Sequence, residues 1–120
     1  MTMAPNWYVS ELVFRIYCNE HPGMHRFDKQ LRLIEAVSER EAYRKLLHLA
    51  KAETEQLNNP SLKEGLKWEF AGVGMLHNIE VPEDGAELHY SIEEPEDAEE
   101  YMRSLRHRNS EIKSHLAITA

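Results

Sequence analysis

Between Trp7 and Cys18 the chain alternates with period two. Tyr8, Leu12, Phe14, Ile16 and Cys18 fall on one face, with Ser10 among them. Trp7, Val9, Glu11, Val13, Arg15 and Tyr17 fall on the other. Aromatic and β-branched residues are frequent in both rows, so the pattern predicts a long strand. His21-Pro22-Gly23 interrupts it, because proline fixes φ and glycine permits a reversal. A second strand from Gln30 to Val37 then forms a hairpin with a long tip.

Ser38 followed by Glu41 reads as a capping box, and Ala42, Leu46, Leu49 and Ala50 form the apolar stripe of a helix. That helix should stop before Asn58-Asn59-Pro60. A third strand starts at Leu66, with Leu66, Trp68 and Phe70 inward, and Gly72 and Gly74 suggest a bulge at its far end. After a turn at Glu83-Asp84-Gly85, Ala86, Leu88, Tyr90 and Ile92 alternate with Glu87, His89, Ser91 and Glu93 as a fourth strand. Pro95 suits the first turn of a last helix striped by Ala98, Tyr101, Met102 and Leu105. The expected fold is α+β, in the order ββαββα: a four-stranded antiparallel sheet with two helices packed on one face. At an offset of 58 residues, Ile34-Glu35 aligns with Ile92-Glu93 and Tyr43 with Tyr101, as a duplication or two similar amphipathic patterns would give. Placing Ile34 like Ile92 calls for a bulge near Arg32 or Leu33 in the second strand.

Composition narrows the class. The 120 residues are 42% hydrophobic and 29% charged, as in a soluble globular protein. Five glycines and five prolines exclude collagen-like and low-complexity chains. The expectation is one domain over residues 1–120, with a core at about 7–108 and a tail at 109–120 that frays or is exchanged between copies. The single cysteine, Cys18, permits no intrachain disulfide and fits a reducing compartment. The apolar stretch after Trp7 is broken by Ser10, Glu11 and Arg15, so no signal peptide is read, and no run is long enough to span a membrane. A cytoplasmic location follows as the expectation.

A net charge of −7 argues against a nucleic-acid partner. The charge is uneven. Residues 1–79 hold ten acidic and ten basic side chains, whereas residues 80–100 hold ten acidic and no basic ones. Carboxylates on a fourth strand would guard a sheet edge. They would equally give a basic protein partner a place to bind, at Glu83 to Glu94.

Three constellations carry candidate chemistry. Cys18, His21 and His25 are zinc-competent donors on one loop, yet no second pair follows at metal-site spacing, and no metal or other cofactor is assigned. Glu11, Glu69 and Glu93, with His89 and Arg15 of the same parity, could do acid–base work if a pocket desolvated one carboxylate. A solvated sheet face with cross-strand ion pairs accounts for them more simply. Trp7, Val9, Val13 and Tyr17, joined by Ala71 and Val73, make an apolar patch on the face the helices leave open. Trp7, Val13, Arg15, Glu69 and His89 are therefore the candidate interaction residues, and no catalytic residue is assigned.

At Trp7-Tyr8-Val9, at Phe27-Asp28-Lys29-Gln30-Leu31-Arg32-Leu33-Ile34 and at Trp68-Glu69-Phe70, the chain resembles a bacterial family known only as a domain of unknown function. The resemblance runs over about residues 7–105 and implies a small cytoplasmic protein, without bringing an activity or a cofactor. The leading expectation is a non-catalytic protein-interaction module, a homodimer through the open sheet face. The alternatives are a small hydrolase or isomerase using the sheet-face carboxylates with His89, and an immunity-type or antitoxin protein that neutralises a basic toxin.

Overall fold

The computed structural model describes residues 5–59 and 65–117. Its elements are β1 (Asn6–Cys18), β2 (Arg26–Ala36), α1 (Glu39–Leu57), β3 (Leu66–Ile79) and α2 (Ala98–His115). The chain divides into two compact units, Met1–Tyr90 and Ser91–Ala120.

In the first unit the three strands form one antiparallel sheet in the order β2-β1-β3. The even-numbered residues of β1 point to the inner face, where Tyr8, Ser10, Leu12 and Phe14 are buried. Ile34 and Ala36 of β2 join them, and α1 closes the core with Ala42, Leu46 and Ala50. Trp68, Phe70, Val73 and Leu76 of β3 pack against this cluster, and the Phe14 and Phe70 rings meet at 5.6 Å. Ser38 caps α1 as expected, its side-chain oxygen accepting from the Glu41 N–H at 3.1 Å. Pro60, the other end signal, lies outside the described residues.

β3 reaches this arrangement through two bulges. Its register against β1 slips between Glu11 and Leu12 and again between Val13 and Phe14, leaving Gly74 and Ala71 without a partner. One bulge reverses side-chain parity and the second restores it. Trp68, Phe70, Val73 and Leu76 consequently all face inward, although simple alternation puts Val73 outside.

The expected fourth strand is absent. Residues 86–93 form no ladder, so the order is ββαβα and the sheet has three strands. The turn before it is present, with the Ala86 N–H donating to the Glu83 carbonyl at 2.9 Å and Gly85 at φ 87°. A strand also needs an open neighbouring edge, and on the free edge of β3 Asn58 already bonds the backbone of Trp68. The bulges at Ala71 and Gly74 interrupt the rest.

Two further expectations change with it. Ile92 is exposed and outside any strand, whereas Ile34 is buried in β2, so the two positions are not equivalent. β2 accordingly runs against β1 from Arg26 to Ala36 with no bulge. In the first unit, α1 supplies the helical layer on the inner face of the sheet among the described residues. In the second unit α2 is capped by Asp97, two residues past Pro95, and none of its residues is buried. It continues through Asn109 to His115.

Candidate functional site

The outer face of the sheet can be read row by row from the register. Across β2, β1 and β3, Leu33, Val9 and His77 are neighbours, and so are Leu31, Glu11 and Met75. Lys29, Val13 and Gly72 form the next row, followed by Phe27, Arg15 and Glu69. Val9, on the face opposite α1, is only 3% exposed and sits in the central strand between Leu33 and His77. Those on β2 remain open to water: Leu31 is 64% exposed, Phe27 52% and Leu33 50%.

Of the candidate residues, Trp7, Val13, Arg15 and Glu69 stand on this face through their strand positions. Arg15 and Glu69 are directly opposite, yet the guanidinium lies over the rings of Tyr17 and Phe27, at 4.9 and 5.9 Å from their centroids. One of its nitrogens comes within 3.3 Å of His25 Nδ1. Arg15 thus serves as a flat cation over aromatic rings at the hairpin end of the sheet. His89 reaches the face by another route than the one expected. It belongs to no strand, and its ring stacks on His77 at 5.0 Å with an interplanar angle of 22°.

The carboxylates expected to share a site are kept apart. Glu69 is level with Arg15, and Glu11 is four residues along β1, about 13 Å away at strand rise. The side chain of Glu11 lies over Gly74, where a Cβ would collide with its carboxylate. Glu93 lies outside every strand. An open groove of about 520 Å³ between α1 and β3 is lined in part by Glu69, Glu55, Lys51 and Lys67, but by neither Glu11 nor His89. Cys18, His21 and His25 are not gathered either. Among the described residues no group of three or more His, Cys, Asp or Glu could hold a metal ion.

Three features escape a reading of the sequence by motif. The outward row of β2 is Phe27, Lys29, Leu31, Leu33 and Glu35, a period-two signal legible once Ile34 and Ala36 are placed under α1. The inner row at the same strand is polar: Gln30 Nε2 donates to Asp28 Oδ2 at 2.7 Å, and Arg32 donates to Gln30 Oε1. Arg32 also lies 3.4 Å from Glu53 of α1. Asn58, read only as a helix stop, accepts from the Trp68 N–H and donates to the Trp68 carbonyl, both at 2.8 Å.

The family model of a domain of unknown function, DUF4288, matches residues 7–91. The matched span contains β1, β2, α1 and β3, and with them the whole outer face, whereas α2 lies beyond it. No curated protein and no solved structure matches the chain. Among the described residues, no helix is long and apolar enough to cross a membrane.

Proposed function

We propose, from the premise that the chain belongs to the DUF4288 family, that it is a non-catalytic protein-interaction module of a reducing, cytoplasmic compartment. A second copy of the chain meets it along the β2 side of its open sheet face. The observation that carries this reading is the exposure of Phe27, Leu31 and Leu33 of β2 on the sheet face opposite α1, where Leu33 lies beside buried Val9. A soluble chain that leaves such a row open gains by covering it, and symmetric pairing is the commonest way soluble proteins do so. The separation of Glu11 from Glu69 weighs against the acid–base alternative, because proton transfer requires groups within one hydrogen bond or one water of a shared substrate.

Sedimentation equilibrium of the full chain tests the reading. A dimer is expected, and the double variant Leu31→Asp/Leu33→Asp should shift it to monomer while keeping the far-ultraviolet spectrum. Both leucines are exposed, so these changes leave the core untouched. A wild-type chain that stays monomeric at every concentration would contradict it.

A further inference from the structure

The hydrogen bonds of Asn58 reveal which backbone groups of β2 are unused. Trp68 gives both its N–H and its C=O to Asn58, so its backbone turns away from β1. In an antiparallel ladder its partner Ile16 then turns its own backbone away from β3 and toward β2. Because β2 pairs with β1 without a shift, its even-numbered residues bond β1 and its odd-numbered residues face the free edge. The bond from Lys45 Nζ to the Glu35 carbonyl, at 2.6 Å, agrees: that carbonyl stands outside the ladder. With Glu35 engaged, the open edge runs from Phe27 to Leu33. It contains no proline and no bulge, two of the devices that blunt an edge, although it carries Lys29 among its open positions and Asp28 and Arg32 on its inner row. The edge of β3, by contrast, is occupied at Trp68 and broken at Ala71 and Gly74.

We propose that two copies of the chain pair their β2 edges in antiparallel, about a two-fold axis at Gln30, into one six-stranded sheet. This rests on the self-association reading and places its contact at the β2 margin of the open face. In that register the open backbone positions match completely. Phe27 pairs with the partner's Leu33 and Lys29 with the partner's Leu31, and the two-fold repeats both pairs. The apolar rows that each copy leaves in water meet along the seam. On the inner face, Asp28 stands opposite the partner's Arg32, and Gln30 opposite the partner's Gln30. The row Asp28-Gln30-Arg32 is complementary in charge to its own reverse. Moving the axis to Arg32 would set two arginines directly opposite, a destabilising pair. Moving it to Leu31 would set Asp28 against the partner's Ile34. Stacking the open faces on each other would bury Glu11, Glu69 and Lys29, whereas edge pairing leaves them hydrated.

The test uses the full chain with Cys18→Ser, so that one introduced cysteine reports one position. Gln30→Cys should form a covalent dimer under mild oxidation. Its Cα would lie about 4.5 Å from its own copy in a non-hydrogen-bonded pair, within the range a disulfide spans. Lys67→Cys, on β3, should not crosslink. Leu31→Pro removes an N–H that faces only the open edge, and should abolish the dimer without loss of the far-ultraviolet spectrum. If Leu31→Pro fails to fold, the crosslink at Gln30 decides. Crosslinking at Lys67→Cys in place of Gln30→Cys, with wild-type chain dimeric, would overturn the β2 edge while leaving self-association standing. Crosslinking at Arg32→Cys in its place would overturn the register. A monomeric wild-type chain would remove both readings.

Discussion

Asn58 does two jobs from one position. It ends α1 as the C-cap, and its side-chain amide bonds the Trp68 backbone twice. A planar amide offers a donor and an acceptor at the spacing of one more strand residue, so Asn58 completes the edge of β3 locally. Asn58→Ala leaves both Trp68 groups without this partner. It is expected to lower stability by about 1–3 kcal/mol, read from the urea midpoint at unchanged slope. An unchanged midpoint would mean that water replaces the amide at no cost. Little of this role is visible in the sequence, where Asn58-Asn59-Pro60 signals only the end of a helix. The pairing partner lies ten residues further along the chain. Ser38 is the opposite case, since a cap acts within one helical turn and its signal is local.

At the scale of elements, local signals and long-range ones part company. β1 and α1 were legible because each carries its own period: one face of β1 is buried, and the stripe Ala42, Leu46 and Ala50 is the part of α1 that enters the core. The segment Ala86 to Glu93 has equally clean alternation and is not a strand. Period two states that a segment could bury one face in a sheet. It does not state that an edge is open to receive it. The two bulges of β3 were hinted at by Gly72 and Gly74, but their compensating effect on Val73 depends on the register with β1. The same register separates Glu11 from Glu69 and brings His77, not a fourth strand, to His89. The cap of α1 yields a prediction at this scale. Ser38→Ala is expected to cost about 1 kcal/mol through loss of the bond from the Glu41 N–H. Equilibrium denaturation followed by circular dichroism checks it, and a cost near zero would show that the cap is dispensable.

For the whole molecule, the family match and the core coincide. Every buried core residue from Tyr8 to Ala50 lies within residues 7–91. Among the described residues no fourth strand forms, so Glu87 and Glu93 are not the strand carboxylates expected at a sheet edge. The sheet instead leaves two features of β2 open at once, an apolar outward row and an unpaired backbone edge. Both belong to β2, and a second copy paired at that edge fills the unpaired backbone and sets the two apolar rows side by side in one register. The most direct test is amide hydrogen exchange of the wild-type chain, read residue by residue. Gln30, Arg32 and Ile34 donate within the β1 ladder and should be protected at every concentration. Lys29, Leu31 and Leu33 should become protected as concentration rises and the β2 edges pair. If those three amides exchange at unprotected rates at all concentrations, β2 remains an open edge and the account is contradicted.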